Sequence, residues 1–192
     1  IGYRSYGWKF VGTDIHPASV SSAQLITQAN RNLTKGIHIR QQKTPKNIFK
    51  GIIKPTDRFD LTLCNPPFHA SQEEANATAT KKLRNLGKQE KGAKLVLNFG
   101  GQKNELWCDG GEERFVCQMV AESVVFAQQC FWFTTLVSKK TTLPVLLKAL
   151  KNMGALQVKT IDMAQGQKES RFVAWTFLDL KQQQDWMSAR WK

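Results

Sequence analysis

The chain has 192 residues, 41% of them hydrophobic, which is enough for one domain with a substantial core. Its 28 Lys and Arg residues against 15 Asp and Glu residues give a net charge of +13. An acidic partner is therefore expected, and nucleic acid is the leading candidate. A membrane surface is the alternative, but the sequence shows neither a long apolar span nor a basic amphipathic anchor.

Cysteine and histidine usage argues against disulfides and metals. The four cysteines show no C-x-x-C pairing, and only three histidines are scattered along the chain. Cys64 and Cys130 lie in or beside apolar runs. We therefore expect reduced thiols in a cytoplasmic protein, with no disulfide framework and no metal site.

The first predicted strand runs from Trp8 to Ile15 and carries an acid, Asp14, near its end. Pro17 opens the following helix and Gly36 ends it. The predicted apolar face of that helix consists of Leu25, Ile26, Ala29 and Leu33. In a nucleotide-binding sheet, an acid at such a strand tip binds the ribose hydroxyls of a cofactor, although Asp-x-x-Pro also suits a helix cap.

A strongly basic stretch follows. Ile37 to Gln41 is predicted as a short strand, and from Arg31 to Arg58 eight basic residues are accompanied by one acid, Asp57. Charge runs of this kind are usually solvated surfaces, but so large an imbalance also suits a track for RNA phosphates.

The most informative stretch is a strand followed at once by a stiff turn. The apolar run from Phe59 to Cys64 predicts a buried strand, and Asn65-Pro66-Pro67-Phe68 comes directly after it. The two prolines lack N–H groups and fix φ, so this turn is rigid. The Asn65 side-chain carbonyl and the Pro66 backbone carbonyl offer two acceptors beside the flat ring of Phe68. These groups suit an exocyclic amino group on a planar base, although Asn-Pro also occurs in plain turns.

From Ala70 to Gly111 the sequence shows no sustained apolar period and carries a second basic cluster that includes Lys81, Lys82 and Arg84. We predict a lid or RNA clamp here, because long structureless connections are uncommon in compact domains. Trp107 is interpreted as an anchor for the returning chain, with a base-stacking platform as the alternative.

The remaining residues predict alternating helices and strands. A helix runs from about Glu112 to Gln129, a strand from Phe131 to Ser138, and a helix from Thr142 to Gly154. The strands Ala155 to Met163 and Phe172 to Leu180 form a terminal hairpin, followed by a polar tail. This order predicts an α/β fold: an open, mostly parallel sheet with helices on both faces.

The motif Asn65-Pro66-Pro67-Phe68 resembles the catalytic motif of S-adenosylmethionine-dependent methyltransferases that act on adenine N6. Further segments resemble the bacterial 23S ribosomal RNA adenine-N6 methyltransferase F family. These segments are Leu63-Cys64-Asn65-Pro66-Pro67-Phe68-His69, Asn98-Phe99-Gly100-Gly101-Gln102, Glu105-Leu106-Trp107-Cys108, Gly110-Gly111-Glu112 and Met163-Ala164-Gln165-Gly166-Gln167.

The resemblance implies a Rossmann-like class I methyltransferase sheet, S-adenosylmethionine as cofactor, large-subunit ribosomal RNA as partner and a monomer. The implied catalytic residues are Asn65, Pro66, Pro67 and Phe68. The implied cofactor contacts are Asp14, Thr44 and Asn65. The expected RNA contacts are Lys43, Lys81, Lys82, Arg84 and Arg171, with a place in the cofactor pocket as the alternative for Lys43.

One feature of that family is not evident in the sequence. In class I methyltransferases a central first strand carries a Gly-rich turn to the cofactor, and no such strand precedes Trp8. We therefore expect residues 1–192 to form the later part of one catalytic domain, with an insertion at 70–111. A non-catalytic RNA-binding module and adenine-N6 methylation of another RNA or of DNA stay open as alternatives. Glutamine methylation is disfavoured, because the relatives with that activity favour Tyr where this chain has Phe68.

Overall fold

The computed structural model describes residues 1–74, 76–77, 106–165 and 168–191. The chain divides into two compact units, Ile1–Asp57 and Arg58–Lys192. No helix among the described residues is long and apolar enough to cross a membrane.

The first unit is a β-α-β arrangement preceded by a short helix. It contains α1 (Gly2–Tyr6), β1 (Phe10–Asp14), α2 (Pro17–Ala29) and β2 (Ile37–Gln41). The two strands pair in parallel from Phe10 opposite Ile37 to Asp14 opposite Gln41. Parallel pairing requires a crossover, which α2 provides. The predicted strand end at Asp14 and the predicted second strand are confirmed.

The expected apolar face of α2 is wrong. Leu25 and Ile26 are 63% and 61% exposed, and the helix ends at Ala29, well before Gly36. The buried residue of α2 is Val20, with Ala23 and Thr27 half-buried at helical spacing. The face that turns inward is therefore a stripe of small residues, which a search for large apolar residues does not find.

The first unit closes with an ordered loop between β2 and Asp57. Buried Gln42 accepts a hydrogen bond from the Thr44 N–H (3.0 Å) and donates through Nε2 to the Lys50 carbonyl (2.8 Å). Arg40 donates to the Ile52 carbonyl (2.8 Å) and forms an ion pair with Asp57. That guanidinium lowers the pKa of Asp57. Part of the basic run from Arg31 to Arg58 is thus used to hold the loop.

The second unit is a mixed sheet with helices. Its elements are β3 (Phe59–Leu61), α3 (Gly111–Ser123) with a 3-10 turn at Val124–Phe126, β4 (Cys130–Val137), α4 (Thr142–Asn152), β5 (Gln157–Gln165), β6 (Lys168–Thr176) and α5 (Leu180–Arg190). The strand order is β3-β4-β6-β5. β3 and β4 are parallel, whereas β6 is antiparallel to both β4 and β5. The predicted terminal hairpin is confirmed.

The core of the second unit lies between this sheet and its helices. Phe133 on β4 stacks on Trp175 on β6 with ring centroids 5.9 Å apart, and both are fully buried. The Trp175 indole donates to the Ser123 hydroxyl at the end of α3 (3.0 Å). That bond satisfies the polar atom of the largest buried side chain and fixes α3 against the sheet.

The predicted buried strand from Phe59 to Cys64 needs correction. The regular strand covers only Phe59–Leu61, and Leu61 and Leu63 are 42% and 66% exposed. Among the described residues β3 pairs only with β4, and β1 pairs only with β2. The alternating face that carries Leu61 and Leu63 is therefore uncovered in this part of the chain.

The polar C-terminal tail is a helix. Asp179 caps α5 by accepting from the Gln182 N–H (2.8 Å), while the Gln182 side chain accepts from the Asp179 N–H (2.9 Å). Asp-x-x-Gln is a capping box, a start signal that the sequence carries and that our reading missed.

Candidate active site

The turn after β3 is guided by hydrogen bonds to β4. The Thr62 N–H donates to the Trp132 carbonyl (2.9 Å), and the Leu136 N–H donates to the Cys64 carbonyl (2.9 Å). Between these two bonds the Thr62 side chain replaces a backbone carbonyl and accepts from the Thr134 N–H (3.0 Å). The chain therefore follows β4 as far as Cys64 and releases Asn65 at the carboxyl end of the strand pair.

The four residues of the motif differ in burial. Asn65 is exposed, Pro66 and Pro67 are buried, and Phe68 is half-buried. Within the described residues no hydrogen bond engages the Asn65 amide and no ring contacts Phe68. Burial of the two prolines holds the turn in place. The described part of the chain therefore leaves Asn65 and Phe68 available to a ligand.

Cys64, directly before Asn65, is not a nucleophile in this setting. Burial raises the pKa of its thiol to about 11, an effect that a hydrogen bond with Thr135 opposes only in part. The thiol is therefore protonated near neutral pH, and the thiolate is the reactive form. All four cysteines are free.

The residue after Phe68 is hydrogen-bonded to the segment from Leu106 to Cys108. The His69 N–H donates to the Leu106 carbonyl (3.1 Å), and the Cys108 N–H donates to the His69 carbonyl (3.1 Å). His69 and Trp107 thus form an isolated parallel bridge. Gly111 adopts φ +61°, and a Cβ there would approach the Ala70 nitrogen to 3.2 Å. These contacts support the interpretation of Trp107 as an anchor.

A buried carboxylate ties α3 to the loop after β4. Glu112 is 1% exposed, and Oε1 accepts from the Ser138 N–H (2.7 Å) and hydroxyl (2.6 Å) while Oε2 accepts from the Lys139 N–H (3.0 Å). In the sequence analysis Glu112 is only the first residue of a predicted helix. The Gly-Gly pair before Glu112 indicates a turn with positive φ. Nothing in the sequence indicates that Glu112 bonds to Ser138.

A second carboxylate links the same loop to the segment after the motif. Glu74 accepts from the Ala70 N–H (2.7 Å) and from Lys139 Nζ (3.2 Å). The backbone N–H of Ala70 and then the Lys139 ammonium lower the pKa of this carboxyl. The residues that follow Phe68 and the loop that follows β4 are therefore connected through Glu74 and Lys139.

The predicted cofactor contacts Asp14 and Thr44 both lie at the carboxyl ends of the strands in the first unit. Asp14 is half-buried and accepts from the His16 N–H (2.7 Å), and this bond fixes one carboxylate oxygen. Thr44 is exposed, with its N–H on the Gln42 side chain (3.0 Å). The local turn at Asp14 and a role in ligand binding are compatible, because no contact among the described residues uses the second carboxylate oxygen.

The predicted RNA contacts fall in different settings. Lys43 is exposed beside Thr44. Arg171 on β6 is opposite Val137, one residue beyond the Leu136 that bonds to Cys64, and its Nε lies 3.3 Å from Asp162 Oδ1. It thus lies at the motif end of the sheet. Lys81, Lys82 and Arg84 lie outside the described residues.

Solved structures define the fold class. The chain matches the human METTL16 catalytic domain in complex with a MAT2A 3′UTR hairpin with a TM-score of 0.71 and 23% identity, covering 93% of this chain and 59% of that one. The N-terminal domain of human METTL16 in complex with SAH matches with a TM-score of 0.63 and 22% identity, covering 93% and 55%. The fold is that of class I methyltransferases, and this expectation is confirmed.

Sequence comparison identifies the family to which the chain belongs. An RNA methyltransferase family model matches residues 1–179, and the chain belongs to that family. It is 58% identical over 191 residues to the ribosomal RNA large subunit methyltransferase F of Yersinia enterocolitica, and 57% identical to that of Yersinia pestis. The chain spans 57% of the length of these relatives. The resemblance seen in the motifs is confirmed.

Proposed function

We propose that the complete protein transfers the methyl group of S-adenosylmethionine to the N6 amine of an unpaired adenine in large-subunit ribosomal RNA. The observation that carries this proposal is the exposed Asn65 amide, without a hydrogen bond in the described structure, on a turn held by buried Pro66 and Pro67. The similarity to two ribosomal RNA large subunit methyltransferases over 100% of this chain supports the choice of substrate. The protein acts as a monomer in the cytoplasm, where ribosomes are made.

The motif residues solve a specific chemical problem. The N6 amine of adenine is a poor nucleophile, because its lone pair is delocalised into the ring. Hydrogen bonds from this amine to the Asn65 side-chain oxygen and the Pro66 carbonyl hold the nitrogen in line and favour a pyramidal geometry. The Phe68 ring stacks on the base and fixes its plane. The gain is proximity and electrostatic preorganisation, and the proton leaves after transfer.

The chain offers suitable groups for the cofactor in each unit. When bound, S-adenosylmethionine supplies an electrophilic methyl group on a sulfonium centre. Asp14 has a carboxylate oxygen available for ribose hydroxyls at the end of β1, and Thr44 lies on an exposed, ordered turn after β2. Asn65 would contact the methionine side of the cofactor in this proposal. We propose that both units belong to one catalytic domain.

The basic residues hold the RNA backbone in this proposal. Exposed Lys43 and partly buried Arg171 supply cations near the two sets of site residues, and Lys81, Lys82 and Arg84 supply the cations of the 70–111 insertion. A flipped or unpaired adenine is required, because a paired base cannot present its amine to Asn65.

The test is to map N6-methyladenine in the RNA and DNA of cells lacking the gene, then restore the gene as wild type or as Asn65→Ala. We expect one ribosomal RNA position to lose its mark and only the wild-type gene to restore it. Loss of N6-methyladenine from another RNA or from DNA would assign a different substrate. An unchanged pattern in every nucleic acid, with no cofactor bound by the purified protein, would leave the non-catalytic RNA-binding module.

A further inference from the structure

The first unit contains a basic cavity that lies apart from the residues discussed so far. It is a concavity open to solvent, with a volume of about 890 Å³. The polar and aromatic side chains that line it are Arg4, Lys9, Arg31, Lys35, Asn32 and Tyr3. We call this the amino-edge cavity, because Lys9 directly precedes β1 and Lys35 closely precedes β2. Four cations from two stretches of the chain, residues 3–9 and 31–35, therefore meet around one space.

Packing of α1 builds the amino-edge cavity. The Tyr3 ring lies against buried Gly36 so closely that a Cβ on Gly36 would be 1.9 Å from Tyr3 Cε2. The Phe10 N–H donates to the Gly36 carbonyl (2.7 Å), which joins the start of β1 to the same point. Arg4 and Lys9 are thereby held beside the segment from Arg31 to Lys35.

The positive charge of the amino-edge cavity is not neutralised locally. The unit has nine Lys and Arg residues against two acids, Asp14 and Asp57. Asp57 pairs with Arg40, and Asp14 accepts from the His16 N–H. In the described part of the chain none of the four cavity cations forms an ion pair. Clustered cations without counter-charges attract a polyanion.

Two exposed aromatic residues are the chain neighbours of Gly7 in this cavity. Tyr6 and Trp8 flank Gly7, which itself lines the cavity, and they are 67% and 50% exposed. Their ring centroids are 5.4 Å apart with an angle of 29° between the planes. An exposed stacked pair next in the chain to cavity-lining Gly7 and Lys9 is typical of proteins that bind single-stranded nucleic acids, with bases on rings and phosphates on basic groups. Inorganic phosphate alone would not need the rings.

The amino-edge cavity is at the opposite end of the strands from Asp14 and Thr44. β1 has five residues from Phe10 to Asp14, so its two ends are about 13 Å apart at roughly 3.3 Å per residue. A ligand in the cavity therefore leaves the carboxyl ends of β1 and β2 accessible.

We propose that the amino-edge cavity binds a single-stranded segment of the substrate RNA, with phosphates on Arg4, Lys9, Arg31 and Lys35 and a base on the Tyr6–Trp8 pair. This inference rests on the proposed function, since it assigns a second contact for that RNA. It extends the substrate surface to a part of the fold that does no chemistry.

The experiment measures binding of the complete protein to a fluorescent oligouridylate, which lacks adenine, over a range of salt concentrations. The variant Arg31→Glu/Lys35→Glu is compared with Lys148→Glu/Lys151→Glu, an equal charge reversal on exposed α4 positions. We expect the slope of log K against log salt to fall by about 1.4 in the cavity variant, roughly 0.7 per lost contact with a single strand. The control variant should bind with an unchanged slope.

A second variant tests the aromatic pair. Trp8→Ala should weaken oligouridylate binding roughly tenfold with no change in slope, because stacking carries no charge. Equal slopes for both charge variants, or full binding by Trp8→Ala, would overturn the proposal. The proposed function fails by a different readout, since absence of ribosomal RNA methylation leaves oligouridylate binding by the cavity intact.

Discussion

Asn65 is exposed at the end of a strand, and no hydrogen bond in the described structure uses its amide, so its side chain has no evident structural task. We predict that Asn65→Ala lowers kcat by about 100-fold or more, the scale of losing one preorganised polar contact to a reacting group. The free energy of unfolding should stay near that of the wild type. Methyl transfer to RNA and chemical denaturation check both parts. Near-normal turnover would remove Asn65 from the amine-binding role.

Phe68 provides the comparison within the same turn. Phe68→Ala should act mainly on substrate binding, since lost stacking is worth roughly 1–3 kcal/mol per base. Phe68→Tyr keeps the ring and should be the mildest of these substitutions.

Glu112 has the opposite character, because it is buried and fully engaged by Ser138 and Lys139. We predict that Glu112→Gln lowers the free energy of unfolding by about 1–3 kcal/mol, since a glutamine leaves one buried N–H donor unmatched. Exposed Glu113 is the matched control, and Glu113→Gln should be nearly neutral. Denaturant midpoints of the two variants make the comparison. Equal stability would mean that the loop after β4 does not depend on this carboxylate.

At the scale of elements, α5 is attached to β3 through one carboxylate. Asp60 accepts from Trp186 Nε1 (2.7 Å), Trp191 Nε1 (2.9 Å) and Arg190 Nε (3.1 Å). Burial alone would raise the pKa of Asp60, but these hydrogen bonds lower it to about 2. The indole and guanidinium of Trp186 and Arg190 in α5, and the indole of Trp191 directly after it, thus meet at a residue five positions before Asn65.

These hydrogen bonds of Asp60 predict that the stability of the fold depends on pH. A carboxyl whose pKa is depressed on folding stabilises the fold above its unfolded pKa of 3.8, and that stabilisation is lost as the pH falls towards 2. Asp60→Asn should therefore cost about 1 kcal/mol at neutral pH, a modest value because the side chain is 43% exposed. The difference from wild type should shrink below pH 4. Asp185→Asn, on the exposed side of α5, is the control. A difference in the free energy of unfolding that stays constant between pH 5 and pH 2 would contradict this role of Asp60.

At the scale of the whole molecule, β1 and β3 each have a hydrogen-bonded strand on one side only within the described residues. Leu61 and Leu63 are also uncovered. The relatives are longer than this chain, which spans 57% of them. We propose that the additional length of the complete protein includes a strand that carries a Gly-rich turn to the cofactor.

Calorimetric titration with S-adenosylmethionine tests this expectation. The complete protein should bind at least about tenfold more tightly than residues 1–192 alone, because the proposed contacts Asp14, Thr44 and Asn65 are only part of what the cofactor needs. Equal affinity would show that the 192 residues already hold every cofactor contact.

Local signals were enough for much of the architecture and for the motif. Chain stiffness at Pro66-Pro67 and the acceptors beside it follow from covalent chemistry, so the turn could be predicted without coordinates. The parallel pair ending at Asp14 and the terminal hairpin follow from alternation of apolar residues and turn residues along a few neighbours.

The tertiary structure decided which side chains are buried and which charges are paired. Leu25 and Ile26 are exposed while small residues face the sheet, and Arg40 is committed to Asp57. Asp60 bonds to residues about 130 positions away, and Glu112 to residues about 26 away. The amino-edge cavity brings Arg4 and Lys9 together with Arg31 and Lys35 from a second stretch of the chain. Such contacts depend on how distant segments fold back on each other, and local propensity carries no information about that.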